Sequence, residues 1–318
     1  MKHIFILNQQ AGRAGVHERL AAELTALCQA KGADFSLHRT GSSGEADAVI
    51  RRTCGESGEV RIYACGGDGT LCGAINAAAP FPGASVGLIP IGTGNDFVRN
   101  FGESAPFLAP NAQLDGRAVK LDLLRCNDRL CANMINIGFD CEVVKEAGRL
   151  RRKRFFGEKL AYLSGVVLTL IRKPGVDLTV TPADEKAEGE EKNLLLIAIA
   201  NGAFCGGGFR AAPRSQLGDG MMDVCMVNNI SRTRFLSLVK SYHDGTHLDL
   251  RAAQKIIDYR QRDRLELTFP KLQSVCIDGE IIETTHLLVE TIPHALRFIL
   301  PRGVAWKEEK VHEAACPV

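Results

Sequence analysis

From Met1 to about Phe101 the chain alternates short apolar runs with stretches of helical period. Residues 3–7, 35–39 and 60–65 have strand length, whereas 18–30, 45–53 and 70–79 repeat apolar positions every three or four residues. This βαβ rhythm predicts a parallel sheet with helices on both faces and a ligand crevice at the carboxyl ends of its strands. Chemistry is therefore expected just after strands.

Beyond about Asp122 the pattern changes to closely spaced strands. They fall at 119–125 and 130–137, joined through Asn127-Asp128, then at 176–181, 194–201, 222–227, 255–259, 265–269, 274–277, 287–290 and 296–300. Such spacing predicts a mainly antiparallel β-sandwich, interrupted by helical stretches around 142–171 and 233–242. The polar segment 182–193 reads as a solvated hairpin tip. The longest apolar runs, 162–171 and 194–200, fall below the roughly 18 residues that span a bilayer, and the first strand is too short for a signal-peptide core. No part of the chain is expected to cross a membrane.

Composition narrows the picture. With 318 residues, 45% of them hydrophobic, the chain can fill two cores. Thirty-nine basic against 37 acidic residues leave a formal charge of +2, which argues against a nucleic-acid partner held by a broad cationic face. Eleven cysteines without a Cys-x-x-Cys pair fit reduced thiols used as small hydrophobes and point to the cytoplasm.

Gly66-Gly67-Asp68-Gly69-Thr70 stands between a predicted strand and a predicted helix. Glycines admit a phosphate chain close to the backbone, and the helix start offers unpaired N–H groups and a positive dipole end. An acid at that place, Asp68, implies a cation such as Mg²⁺ between carboxylate and phosphate. No Gly-Lys-Ser/Thr occurs, so this is not a P-loop, and neither glycine loop completes the dinucleotide Gly-x-Gly-x-x-Gly. Gly83-Ala84-Ser85-Val86-Gly87 matches the hydrolase elbow but precedes a strand, so it is set aside. A second loop, Pro90-Ile91-Gly92-Thr93-Gly94-Asn95-Asp96-Phe97, follows the strand at 86–89. Thr93 and Asn95 offer hydrogen bonds to phosphate or ribose and Asp96 a second carboxylate; a plain helix cap by Asn95 or Asp96 is the alternative.

The order of motifs closely resembles the diacylglycerol kinase catalytic family, which includes bacterial lipid kinases and the sphingosine and ceramide kinases. The motifs are Asn8 with Ala11-Gly12, Thr40 before Gly44-Glu45-Ala46, the two glycine loops, Asn136-Ile137-Gly138-Phe139-Asp140, Ala200-Asn201-Gly202 with Gly206-Gly207-Gly208, Asp219-Gly220-Met221-Met222-Asp223-Val224, and Asp278-Gly279-Glu280. The resemblance implies a phosphofructokinase-like α/β domain over 1–121 and 302–318, a β-sandwich lipid-substrate domain over 122–301, and ATP with Mg²⁺ in the cleft between them. It implies that Asn8, Thr40, Gly66, Gly67, Gly69, Thr70, Gly92, Thr93, Gly94 and Asn95 line the nucleotide site. Asp68, Asp96 and Asp122 would hold the catalytic Mg²⁺ network, and Glu280 would be the general base. A second, structural Mg²⁺ on Gln216, Asp219 and Met221 is implied for some members; a simple turn at Asp219-Gly220 is the other reading. Gln9 and Phe209-Arg210 depart from the family pattern, the first bearing on Asn8 and the second on the lipid pocket.

The expected reaction is ATP- and Mg²⁺-dependent phosphorylation of a membrane-lipid hydroxyl, with diacylglycerol giving phosphatidic acid as first choice. Phosphatidylglycerol, a sphingoid base or undecaprenol are alternative acceptors, followed by NAD kinase activity or a catalytically silent binding role. The second loop and Asp278-Gly279-Glu280 argue against NAD kinase. A peripheral position on the inner face of the cell membrane follows from such a substrate, and dimerisation is compatible with the resemblance. Arg149, Arg151, Arg152, Lys153 and Arg154 followed by Phe155-Phe156 read either as a membrane-docking cluster or as a solvated helix. His243 and His247 have metal-pair spacing, but Gly245 between them and the lack of a third ligand favour a helix end.

Overall fold

The computed structural model describes residues 1–12, 15–151, 175–182 and 189–306. The chain divides into two compact units, one of Met1–Leu123 with Leu217–Gly220 and Ile292–Val318, the other of Leu124–Gln216 with Met221–Thr291.

In the first unit β1 (Lys2–Asn8), α1 (Val16–Ala30), β2 (Phe35–Thr40), α2 (Ser43–Glu56), β3 (Val60–Gly66), α3 (Asp68–Ala78) and β4 (Ala84–Pro90) follow the predicted rhythm. Three short helices come next, α4 (Asp96–Arg99), α5 (Ala105–Leu108) and α6 (Pro110–Leu114). The strands lie in the order β2-β1-β3-β4, all parallel. Ile4, Phe5, Ile6 and Leu7 of β1 are all essentially inaccessible, as a strand covered on both faces requires. Helix α1 buries Leu20, Ala21, Leu24 and Cys28, one stripe of a 3.6-residue period, onto Phe5, Leu7, Tyr63 and Ile89. Helix α2 starts where Ser42 accepts the Glu45 N–H, while the Glu45 carboxylate reaches back to the Gly41 N–H at 2.7 Å, a variant of the capping box.

The hairpin predicted through Asn127-Asp128 joins β5 (Arg117–Cys126) to β6 (Arg129–Cys131), with Asn127 in the left-handed region at φ 50°. The second unit continues with β7 (Met134–Gly138), α7 (Phe139–Arg151), β8 (Val176–Pro182), β9 (Glu190–Ala200), β10 (Met222–Asn228), α8 (Arg232–Asp244), β11 (Ile257–Arg262), β12 (Arg264–Ile277) and the first part of β13 (Glu280–Leu300), whose residues from Ile292 on belong to the first unit. Their order is β11-β10-β9-β7-β12-β13, antiparallel throughout. Because β8 also pairs with both β9 and β12, strands β7, β8, β9 and β12 close a ring around Ile135, Ile137, Ile197, Leu267 and Val275. The alternate residues of β7 and its neighbours, Met134, Ala198, Ala200 and Cys225, face the other way and pack with Phe139, Val143 and Tyr242 of α7 and α8.

Several boundaries differ from the expectation. The strand at 130–137 is two, because Ala132 and Asn133 turn their N–H groups to Asp278 instead of a neighbouring strand. The runs at 265–269 and 274–277 are one strand with an irregular register between Thr268 and Gln273. Likewise 287–290 and 296–300 belong to the single strand β13, whose Pro293 and left-handed His294 (φ 56°) break the apolar pattern without ending the strand. The helix after the second glycine loop, α4, is a single turn. Residues 152–171 of the predicted helical stretch, with Arg152, Lys153, Arg154, Phe155 and Phe156, lie outside the described residues. The cysteines among the described residues are buried free thiols, and burial pushes Cys126 and Cys276 up to about 12, far from reactive thiolates.

Candidate active site

The carboxyl ends of β1, β2, β3 and β4 carry the predicted nucleotide-site residues. Asn8 ends β1 beside Thr40 at the end of β2, and its amide donates to Thr70 Oγ1 at 2.9 Å while its Oδ1 accepts the Gln10 N–H. Gln9 donates its N–H to the Thr40 carbonyl, so the departure from the family pattern leaves Asn8 in place. The two glycine loops touch backbone to backbone. Gly92 donates its N–H to the Gly66 carbonyl at 3.1 Å, and a Cβ on Gly92 would stand 2.5 Å from the Gly67 Cα. No other residue type fits there. Asn95, left-handed at φ 51°, folds its amide onto the Gly92 and Pro90 carbonyls. Gly67 caps α3 without a side-chain acceptor, and since the Thr70 N–H already donates to the Gly67 carbonyl at 3.0 Å, it is the Asp68 and Gly69 N–H groups that can meet an anion.

Asp68 joins the loops electrostatically. Its Oδ2 accepts the Asp96 N–H and its Oδ1 the Phe97 N–H, both at 3.0 Å. A Cβ placed on Gly94 would lie 3.2 Å from Asp68 Oδ2 and 3.6 Å from Asp96 Oδ2, so the two carboxylates face one bare stretch of backbone. Asp96 is buried and pairs with Arg99 Nε at 3.3 Å. Mg²⁺ takes one or two carboxylates plus water and phosphate oxygens, and this pair fits that donor set. Asp122 is fully buried and otherwise engaged: its Oδ2 accepts the Gly220 N–H and its Oδ1 the His294 N–H, both at 2.7 Å, which pins β5 to two later segments of the first unit. Among the described residues no cluster of three or more His, Cys, Asp or Glu side chains is gathered for a metal.

Glu280 lies in the second unit, at the start of β13, after a turn in which Asp278 (φ 45°) and Gly279 (φ 90°) are both left-handed. Its Oε2 accepts from Arg129 at 3.0 Å, an exposed pair. The residue that fixes this turn is Asp278. Its carboxylate accepts the N–H groups of Ala132, Asn133 and Met134 at 2.7–3.1 Å, and its own N–H donates to the Met134 carbonyl. Burial raises its pKa, against the lowering effect of those N–H donors. The same loop is held from the other side by Asn201, whose amide donates to the Ala132 carbonyl and whose N–H donates to the Asn133 carbonyl. Sequence reasoning missed both Asp278 as an anchor and Arg129 as a partner; the one available signal was an acid preceding glycine in a motif that ends on the proposed base.

A narrow, mostly apolar pocket of about 40 Å³ opens in the second unit between β7, α7 and α8, bordered by Phe139, Val143, Phe209, Phe235 and Tyr242. Phe209, a departure from the family pattern, is thus a pocket wall. Two polar residues border it, Asn136 and Asp140. Asn136 is 8% exposed and its Oδ1 has no hydrogen-bond partner, an arrangement that costs about 1–3 kcal/mol. Asp140 Oδ2 accepts the Tyr242 hydroxyl at 3.2 Å, and burial pushes the Asp140 carboxyl up to about 6 although that hydrogen bond lowers it.

Of the remaining predicted residues, Asp219 is buried and followed by left-handed Gly220 (φ 78°), and Gln216 is exposed. His243 lies in the last turn of α8 beside Asp244, while His247 is buried with its ring tilted against that of Tyr242, the centroids 5.0 Å apart. Arg149 pairs with buried Glu146 at 2.7 Å. Among the described residues no helix is long and apolar enough to cross a membrane.

Comparison with known proteins adds the following. Residues 2–126 match the diacylglycerol kinase catalytic domain, and residues 133–300 match the YegS C-terminal NAD kinase beta sandwich-like domain. A Pseudomonas aeruginosa protein described as a probable lipid kinase YegS-like is 28% identical over 93% of this chain and 92% of its own. A Bacillus subtilis diacylglycerol kinase is 28% identical over 86% of this chain and 88% of its own. A crystal structure of a Bacillus anthracis diacylglycerol kinase superposes with a TM-score of 0.69 at 18% identity, covering 96% of this chain and 98% of that one, which establishes the shared fold.

Proposed function

Since the chain belongs to the diacylglycerol kinase family with a YegS-type C-terminal domain and is a lipid kinase, we propose that it transfers the terminal phosphoryl group of ATP, with Mg²⁺, to a hydroxyl group of a membrane lipid. Diacylglycerol, named in several relatives, is the first acceptor to test. The observation that carries this reading is the contact of the two glycine loops, with Asp68 holding the Asp96 loop and both carboxylates turned to the same bare backbone.

In this reading the Asp68 and Gly69 N–H groups at the start of α3, with the side chains of Thr70 and Asn8, receive the phosphate chain, and Asp68 and Asp96 would hold Mg²⁺ through oxygen ligands. Mg²⁺, when bound, would neutralise charge on the transferring phosphoryl group. Asp122 serves as a positioning residue. Glu280 accepts the proton of the lipid hydroxyl as its oxygen forms the bond to the γ-phosphorus, and the bond from that phosphorus to the bridging oxygen breaks to release ADP. Asp278 holds the turn on which Glu280 rides. The protein works as a peripheral enzyme at a bilayer surface, where its acceptor resides.

The test is transfer of labelled γ-phosphate from ATP to a panel of lipids in mixed micelles, with Asp68→Ala and Glu280→Gln as controls. A labelled lipid that disappears in both variants supports the proposal. Label moving to NAD, or to nothing, overturns it.

A further inference from the structure

We infer that Arg129 is the positioning residue of the base: it holds Glu280 by one carboxylate oxygen and leaves the other to take the proton of the lipid hydroxyl. This rests on the lipid-kinase reading, in which Glu280 is that base.

The pair itself is the first observation. Arg129 Nη1 donates to Glu280 Oε2 at 3.0 Å, and among the described residues no hydrogen bond reaches Oε1. Both oxygens of a carboxylate accept hydrogen bonds, so one is occupied here and the other is open. A glutamate side chain turns about three bonds, whereas a base must stay within hydrogen-bond reach of the proton it takes. A partner on the far oxygen restricts those bonds, which is the part a third group plays when it orients the base beside a nucleophile.

Exposed ion pairs are ordinarily weak, because two long side chains must be ordered to form them. The second observation sets this pair apart: both of its backbones are already fixed. Arg129 opens β6 just after the turn in which left-handed Asn127 is stapled to β13. The Asn127 N–H donates to the Leu288 carbonyl at 2.9 Å, its Oδ1 accepts the Leu288 N–H at 2.9 Å, and its amide donates to the His286 carbonyl at 3.1 Å. On the other side of Arg129 the N–H groups of Ala132, Asn133 and Met134 go to Asp278. The short β5–β6 hairpin is therefore tied before and after Arg129 to the β12–β13 hairpin on which Glu280 rides.

Register brings the two side chains to one side. Cys126 pairs with Arg129 and Leu124 with Cys131, so Arg129 extends the face of Leu124, Cys126 and Cys131. Ile277 pairs with Glu280, so Glu280 extends the face of Ile277. Those four residues belong to one apolar core, and the half-exposed ion pair stands at its rim. Residues anchored in this way hold a functional group in place without drawing on the substrate's binding energy.

The experiment is transfer of labelled γ-phosphate from ATP to the lipid that the intact chain labels fastest, for the intact chain, Arg129→Ala, Arg129→Lys, Glu280→Gln and the double variant Arg129→Ala with Glu280→Gln. Arg129→Ala should lower kcat by about tenfold or more and leave KM for lipid and ATP within about twofold, since a displaced base costs the transition state and not the ground state. Arg129→Lys should bring kcat back to within about threefold of the intact protein, because a contact through Nη1 alone asks for one donor and not for a fork. In the Glu280→Gln background Arg129→Ala should cost less than about twofold, since a residue that acts through Glu280 has nothing left to act on. The urea midpoint should stay in place in the Arg129 variants, whose hairpin keeps its Asn127 and Asp278 anchors. Equal losses in the two backgrounds, or a raised lipid KM with kcat intact, overturn the inference while the kinase reading stands. Full turnover in Glu280→Gln overturns the choice of base and this inference with it. Transfer to no lipid by the intact chain overturns the kinase reading itself.

Discussion

In the first unit Gly67 and Gly92 meet backbone to backbone, and Asp68 ties one loop to the next through two N–H groups. In the second unit a single buried carboxylate, Asp278, gathers three N–H groups of a loop about 145 residues away in sequence and so sets the turn that carries Glu280. The first arrangement is local in the chain and made of residues whose chemistry is visible in a line of letters. The second is built by a long-range contact. A phosphate cradle can be written as a loop at a strand end, but a base must be held at one point by something outside its own hairpin.

The largest effect should come from Asp68→Ala, which removes a proposed metal ligand and releases the Asp96 and Phe97 N–H groups at once. Lipid phosphorylation should fall by about a thousandfold or more, as when preorganised charge stabilisation is lost. A loss below tenfold would mean that the loops hold each other without it. Glu280→Gln isolates the other region: its carboxylate is exposed and pairs with exposed Arg129, so stability should stay within about 0.5 kcal/mol. Turnover should nonetheless drop by about 10²–10⁴-fold, measured by the same transfer of label.

The same contrast separates what is legible in the sequence from what is not. The parallel sheet and both glycine loops follow from glycine spacing and strand ends, because local backbone demands leave local signatures. The split at Ala132-Asn133, the clamp by Asp122 on Gly220 and His294, and the Asp278 anchor leave none, since each is a carboxylate answering N–H groups from another part of the chain. Strand β13 reads as two strands in the sequence because Pro293 and His294 interrupt its apolar run, although the strand continues through them. The pocket residues Asn136 and Asp140 are visible there only as members of a motif; that they share one apolar cavity with Tyr242 depends on how α7 and α8 pack.

Asp278→Ala sharpens the comparison from the stability side. It strands the N–H groups of Ala132, Asn133 and Met134 in a buried loop, so urea unfolding of the second unit should lose about 2–5 kcal/mol, with turnover lowered even where the protein stays folded. Gly92→Ala is its counterpart in the first unit. A Cβ 2.5 Å from the Gly67 Cα must push the loops apart, which should cost about 1–3 kcal/mol and weaken ATP binding, read by titration calorimetry, more than lipid binding. If Gly92→Ala binds ATP normally, the close approach of the loops is packing and has no part in the phosphate site.

Asp140 supplies the effect with a definite pH window. Its carboxyl ionises near 3.8 when unperturbed and is pushed up to about 6 in the fold by burial, so between those values the folded protein holds more protons than the unfolded chain. Stability from this group is therefore fully present below about pH 4, declines as pH rises towards 6 and stays low above it. Asp140→Asn removes the titration while keeping the shape and an acceptor for the Tyr242 hydroxyl. The variant should gain stability relative to the intact protein by about 2–3 kcal/mol on going from pH 4 to pH 7.5, since each pKa unit corresponds to about 1.4 kcal/mol. Urea unfolding of both proteins at the two pH values measures the difference directly and cancels the titration of every other carboxylate. A difference that does not change with pH would mean that Asp140 meets water or a cation in solution, and the pocket would then be a wet crevice instead of an apolar site with two polar residues.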